Sequence, residues 1–577
     1  MLYSKSTSIS RSTLEDGSST IRRSAGDFSG LARGVADGTP LSRRQGTGVL
    51  TGAFGSGPRP VTDRAKLVST GAMCTSEVCD ASLRLASSRY AALRNRRLTG
   101  RSNASDKTFE RGALCENVGS GVVTTHPLVE YFRCPEHLAA LGTANPLPTN
   151  PGYFRFGDVI AYGRQAVGPP SARPDADLVD VSPGISSAEG QVLLPFDLAE
   201  VLANLRHERY PEGQAALKHL SSFSVAHAIY YFFRPLLPIG VRRHLQKLRF
   251  NGWNRIAFPH WPVDVTVETL MEGAVRLMLE SGSITELPFI WFWPDGAPAC
   301  VMMTHDVEGP AGAAFSGQLM DIDESFGVKS AFQLIPEGSS GSKTTTRRLI
   351  GQLRSRGFEV NVHDLSHDGH LFREREQFLR GVGNLNALSR EFDSRGFRSG
   401  AMYRRQDWLV ELDVSYDMSV PNVAHLEPQR GGCCTVLPFF IDRVLELPLT
   451  TVQDYTLFHI LGDYSTRLWQ EQIERILDRN GLISFITHPD YLLEARAREV
   501  YVDLLRILVR LRDEQKLWVA LPSEIDEWWR NRREMKLVQE GGSWRIVGPG
   551  SGRARIAYLR LSGDSVVCEV AGERQAA

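Results

Sequence analysis

Residues Glu359 to Phe372 read EVNVHDLSHDGHLF, placing His363 and His367 four apart behind a short apolar run. A strand that ends at His363 and turns there lets two imidazoles converge on one cation, because neutral imidazole is a ready ligand for Zn and similar ions. The pair alone is a weak signal. A second stretch, Thr304, His305, Asp306, Val307 and Glu308, also closes an apolar run and carries two carboxylates two residues apart. Residues at that spacing on an extended segment share a side, so one carboxylate can ligate while the other takes a proton. Two imidazoles and one carboxylate leave a position open for water, as in catalytic rather than structural sites. Such a site supports hydrolysis. The cation polarises an acyl oxygen and makes a bound water more acidic, toward a pKa of about 7. A free carboxylate then adds on the order of 10²- to 10⁴-fold as general base.

Other residues compete for roles. His305 and His370 flank the two stretches and could be auxiliary ligands, donors to ligands, or simply packed or exposed histidines. Asp364 could hydrogen-bond a ligand imidazole or cap the turn after it. Adjacent Cys433 and Cys434 read as structural. Trp408, Tyr416 and Tyr455 could stack on a sugar, with core packing the default, and the tryptophans of WNRIAFPHWP and FIWFWPDG read as packing anchors.

The elements that must position these groups begin at Ala299, where short apolar runs alternate with amphipathic stretches, the pattern of β/α units around a largely parallel sheet or barrel. Strands are predicted at Cys300–Thr304, Ser330–Leu334, Glu359–Val362, Gly396–Ser399, Leu445–Pro448, Leu482–Thr487 and Trp518–Leu521. Helices are predicted at Phe315–Phe326, Thr344–Arg356, Phe372–Ser394, Tyr464–Arg479, Tyr491–Gln515 and Ser523–Lys536. In such a barrel the active site lies at the C-terminal strand ends. The unusual polar residues fall there: Asp306 and Glu308 after the first strand, His363 and His367 after the third, Arg398 on the fourth, His488 after the sixth.

A chain of 577 residues exceeds one ordinary domain. Residues 1–125, rich in Ser, Gly, Arg and Thr, read as mostly disordered, with one helix at Ala81–Leu98. Residues 126–295 read as a mixed α+β accessory module, with helices over Asp197–Leu220, Ser224–Lys247 and Thr266–Ser281. Residues 296–536 make the barrel, and 537–577 alternate as a small antiparallel β appendage. Lys plus Arg and Asp plus Glu are 66 each, so net charge does not point to nucleic acid. Eight cysteines without a CxxC pair or compact framework suit a reducing compartment. The longest apolar stretch, Ala226 to Val241, is interrupted by His227, Arg234 and prolines, so no transmembrane segment is expected. Without a secretory signal the expected location is cytoplasmic, peripheral membrane association being left open. Oligomeric state is not legible.

From about Pro298 to Trp529 the chain resembles the polysaccharide deacetylase family, carbohydrate esterase family four, whose fold is a distorted (β/α)7 barrel. THDVEGP matches the frame of the family's opening motif with one residue inserted, and HDLSH matches its paired histidines. RSGAMY, Arg398 to Tyr403, partly matches the Arg-x-Pro-Tyr motif; VSYDMSVPN and ISFITHPDY correspond to the last two. The resemblance implies Asp306 as catalytic base, Glu308, His363 and His367 as ligands of a divalent metal such as Zn, and His488 as general acid. Arg398 would orient the base, with Tyr403 and Asp417 in support. Glu308 stands where Asp is usual, and Gly400 where Pro is usual. The implied function is removal of an N-acetyl group from an amino sugar of a glycan or glycolipid. An O-acyl esterase, a cyclic-amide hydrolase or a noncatalytic sugar-binding scaffold are the alternatives.

Overall fold

The computed structural model describes residues 126–144, 146–211, 250–336, 342–367, 369–563 and 565–572. The disorder expected over 1–125, the helix at Ala81–Leu98 and the helix over Ser224–Lys247 lie outside them.

Ahead of the barrel come short strands β1 (Leu141–Thr143), β2 (Gly152–Phe156), β3 (Val159–Gly163), β4 (Ser186–Ala188) and β5 (Gln191–Leu194), paired as β1-β5-β4 and β2-β3. Helix Leu198–Arg206 follows, its N-terminus capped by Asp197, which accepts the Glu200 N–H at 3.1 Å. Helix Thr266–Glu280 and strand β6 (Leu287–Ile290) complete this part.

The barrel strands are β7 (Cys300–Val307), β8 (Ala331–Leu334), β9 (Glu359–His363), β10 (Gly396–Arg398), β11 (Tyr416–Asp417), β12 (Phe439–Ile441), β13 (Val444–Glu446), β14 (Leu482–Thr487) and β15 (Trp518–Val519). They run in the order β12-β13-β11-β10-β9-β8-β7-β14, with β15 also on β7. Every pair is parallel except β12 with β13. Helices Pro310–Ser325, Lys343–Ser355, Arg375–Glu391, Arg467–Leu477, Ala495–Gln515 and Pro522–Glu534 connect them. The fold is α/β, a distorted (β/α)7 barrel.

Strand alternation divides β7 between two cores. Cys300 and Met302 join a core shared with the accessory module, whereas Val301, Met303 and Val307 join the one packed under the barrel helices. A sheet covered on both faces needs such near-continuous apolar strands, and β7 and β14 are buried throughout.

The curl closes without a backbone ladder between β13 and β14. Ser484 Oγ accepts the Thr450 N–H at 2.9 Å and Thr450 Oγ1 accepts the Ser484 N–H at 3.0 Å. The hydroxyls of Thr450, Thr451 and Ser484 donate to the carbonyls of Leu482, Ser484 and Pro448 at 2.6, 2.7 and 2.6 Å. Side-chain hydroxyls thus stand in for the missing peptide pairs.

The predicted helix Tyr491–Gln515 is broken into Pro489–Leu492 and Ala495–Gln515, because Glu494 adopts an extended conformation. Gly312 on the first barrel helix meets the shorter piece: its N–H donates to Asp490 Oδ1 at 3.0 Å, and a Cβ there would lie 2.1 Å from Asp490 Oδ2. The tail forms hairpin β16 (Lys536–Glu540) with β17 (Ser543–Val547), then β18 (Ile556–Ser562) and β19 (Ser565–Val570). β18 also pairs antiparallel with β6, so the end of the chain completes a sheet begun before the barrel. No helix of the described residues is long and apolar enough to cross a membrane.

Candidate active site

β7, β9, β10 and β14 and the turns after them deliver six polar groups, Asp306, Glu308, His363, His367, Arg398 and His488, to one end of the barrel. On β7 Thr304 and Asp306 face inward; His305 faces the helices, with Nδ1 2.7 Å from Thr487 Oγ1 and Nε2 3.0 Å from Asp323 Oδ2. His305 is therefore a packed histidine, and His370 lies exposed on the surface.

Arg398 is buried and makes three contacts. Its Nη1 donates to Asp306 Oδ1 at 2.7 Å and to Thr304 Oγ1 at 2.8 Å, and its Nε donates to the Met418 carbonyl at 3.1 Å. Burial of Asp306 works against its charge, but the Arg398 guanidinium, aided by His363 and His488, outweighs that and holds the carboxyl below its ordinary value. A buried carboxylate so paired stays charged and accepts strong hydrogen bonds.

Glu308, His363 and His367 bring ligand-type atoms within 4.8 Å of one another. Glu308 Oε1 lies 2.8 Å from His367 Nε2 and 3.5 Å from His488 Nε2. Burial opposes ionisation of Glu308, yet the imidazoles, His367 foremost, hold it well below the usual carboxylate range. In His367 burial opposes protonation, and the Glu308 carboxylate outweighs it and raises the pKa.

The donor set fits a divalent cation. His363 Nδ1 is 3.2 Å from the Arg398 carbonyl, which can only accept, so Nδ1 carries the proton. The Nε2 lone pair is then left over, and that atom is buried without a hydrogen bond, Asp306 Oδ2 lying 3.8 Å away. An orphaned imidazole nitrogen beside a carboxylate and a second imidazole matches the His₂-carboxylate requirement of Zn and its relatives.

The two turns below this cluster explain Gly400. Its N–H donates to Asp364 Oδ2 at 3.0 Å, and the neighbouring Ala401 N–H points to His367 Nε2 at 3.2 Å. Proline at 400 would lack the donor, and any Cβ there would lie 2.9 Å from Asp364 Oδ2. Asp364 Oδ1 also accepts the Leu365 N–H at 2.6 Å, so it ties two loops together. Tyr403 is buried against Gly369, where a Cβ would come within 2.5 Å of its ring.

His488 ends β14. Its Nδ1 is 2.6 Å from Asp454 Oδ1, and its backbone N–H donates to Asp454 Oδ2 at 2.7 Å. Burial opposes protonation of the ring, but Asp454 and then Glu308 outweigh it, so the imidazolium persists well above the usual histidine range. Sequence reasoning missed Asp454; its available signal was an acid just past the seam residues Thr450 and Thr451. Asp417, expected in support, has other partners: it accepts the Ser419 hydroxyl at 2.7 Å and the Ser419 N–H at 3.1 Å. It faces Glu446, and burial first, then their proximity, raises Glu446 far above its ordinary value.

Cys433 and Cys434 are buried, and burial pushes both thiols well up, which leaves them unreactive. Trp408 packs on Phe372 and Phe378, and the Tyr416 hydroxyl bonds Glu359 and, at 3.1 Å, Asn361. Neither lies with the six polar groups.

No protein-family model matches the chain, and no curated protein matches it. Solved structures similar to it include polysaccharide and chitin deacetylases. A polysaccharide deacetylase candidate from Mycobacterium smegmatis is 17% identical with a TM-score of 0.35, over 44% of this chain and 96% of that one. PuuE allantoinase is 12% identical with a TM-score of 0.34, over 41% and 92%. The chitin deacetylase of Colletotrichum lindemuthianum is 14% identical with a TM-score of 0.26, over 40% and 89%.

Proposed function

We propose that this chain is a metal-dependent hydrolase that removes an N-acetyl group from an amino sugar of a glycan or glycolipid. One observation carries the reading. A carboxylate held charged by Arg398 and an imidazole held protonated by Asp454 flank the Glu308–His363–His367 cluster. Base and acid are pushed to opposite protonation states, as hydrolysis of an amide through water requires. The amino-sugar substrate rests on the resemblance of THDVEGP and HDLSH to deacetylase motifs.

A divalent cation such as Zn, held by Glu308, His363 and His367, would supply Lewis acidity toward the acyl oxygen and acidify water. Asp306 takes the proton of the attacking water, and Arg398 keeps the carboxylate aimed while doing so. His488 gives its Nε2 proton to the amide nitrogen as the C–N bond breaks, and Asp454 holds the ring in that tautomer. The products are acetate and a free amine.

The test is Asp306→Asn on the metal-loaded protein. Acetate release from N-acetylated chitooligosaccharide is expected to vanish while bound metal, counted by elemental analysis, is retained. Full activity in that variant would remove Asp306 from its role.

A further inference from the structure

Aromatic side chains continue outward from His488. Its ring lies 4.8 Å from that of Tyr491, and Tyr491 lies 5.6 Å from Tyr455 and 4.8 Å from His459. Tyr455 and the π-helical turn Thr456–Leu461 share a small apolar cluster with Trp253 and Trp261, which come from the segment before the barrel. Trp261 stacks on His425 at 5.9 Å and meets Trp253 edge-on at 4.8 Å.

Four of the buried tryptophans have an indole partner that these two lack. Trp291, Trp293, Trp469 and Trp528 each donate their indole N–H to a backbone carbonyl, at 2.8, 2.6, 2.8 and 2.8 Å. Trp253 and Trp261 are half-buried, and among the described residues neither indole N–H has an acceptor. The strap that carries Trp261 is nonetheless fixed. Asp264 accepts the His260 N–H at 2.6 Å and donates its own N–H to Asn422 at 2.8 Å, and Gln472 donates to the Pro262 carbonyl at 3.0 Å. A strap so held pre-organises Trp261, which lowers the cost of binding.

Resting on the reading above, we propose that Trp253 and Trp261 form a subsite for a second sugar ring of the same glycan chain, beyond the ring that is deacetylated. An indole face offers apolar area to the C–H face of a pyranose, and its N–H offers a donor to a hydroxyl. His425, buried beneath Trp261, has the Pro259 carbonyl beside it but neither ring nitrogen in a well-formed hydrogen bond. A fatty acyl chain laid on the pair would leave the two indole N–H donors unpaired, each at a cost; sugar hydroxyls match them.

The experiment measures binding in the Asp306→Asn background by calorimetry, with chitotetraose and with the N-acetylglucosamine monosaccharide. The tetrasaccharide is expected to bind more tightly, and Trp253→Ala to weaken it about tenfold with little change for the monosaccharide. Trp261→Phe, which keeps a ring and loses the N–H, is expected to weaken it in the same direction, and thermal melts check that each variant folds. Tetrasaccharide binding no tighter than the monosaccharide's, or unaltered by both variants, overturns the subsite. Tighter binding of decanoate, lost in the same variants, overturns the assignment to sugar. Because binding is read without turnover, absence of acetate release from the unmutated protein would sink the hydrolase reading and leave the subsite standing.

Discussion

Asp454 grips His488 twice: Oδ1 lies 2.6 Å from the ring Nδ1, and Oδ2 accepts the backbone N–H at 2.7 Å. One carboxylate therefore sets the tautomer, the ring's direction and the strand end that bears it. With Nδ1–H committed to Asp454, only Nε2 can face Glu308, 3.5 Å away.

Asp454→Asn removes the charge that raises the His488 pKa. The imidazolium is then lost at lower pH, so the alkaline limb of the kcat profile moves down, and kcat falls by about 10²-fold. A pH–rate profile of the metal-loaded variant with an unmoved alkaline limb would refute this role.

Arg398→Met leaves Asp306 buried without its guanidinium. The Asp306 pKa, now held below its ordinary value, rises, so the acid limb of activity moves to higher pH. Stability falls by about 3–5 kcal/mol, the usual cost of stripping one partner from a buried ion pair. Urea melts and the acid limb measure the two effects separately.

Zn added at about 100 times its Kd is expected to stabilise the protein by about 2.7 kcal/mol. Glu308→Ala should abolish most of that gain in a thermal melt. An equal gain in the variant would place the cation elsewhere.

Glu268 anchors helix Thr266–Glu280 to the barrel by accepting the Thr435 hydroxyl and, at 3.2 Å, the Val436 N–H. Burial raises its pKa from 4.5 to about 7. The folded state thus binds a proton that the unfolded state has already lost between those values, and stability falls as pH rises through that window. Glu268→Gln removes the slope, so it should stabilise at pH 8 by on the order of 3 kcal/mol and have little effect at pH 4. Denaturant melts at the two pH values decide it.

Much of the barrel was legible because each strand end carries its own local signature. The run up to His363 is apolar and short, the run before Asp306 likewise, and LISFIT before His488 is unbroken, so period and punctuation sufficed. Tyr416–Asp417 and Phe439–Ile441 escaped because strands of two and three residues leave no period to read. Asp454 escaped for a different reason. Its partnership with His488 spans 34 residues and depends on how β13 and β14 meet, which no local pattern encodes. The β18–β6 pairing, across more than 250 residues, was invisible on the same ground. Gly400 looked like a loosened motif, and its reason is a backbone donor whose acceptor, Asp364, lies 36 residues away.

The hydroxyl seam has a mechanical consequence. Thr451 stands three residues before Asp454 and Ser484 four before His488, so the proposed proton donor and its carboxylate are the first site side chains past the joint. A peptide ladder fastens along its whole length and changes only by slipping register, which turns every side chain over. Three hydroxyls fasten like rivets, at points. Exchanging one of them would alter the mouth of the barrel at that point without re-threading a strand, and Asp454 and His488, bonded to each other, would shift together.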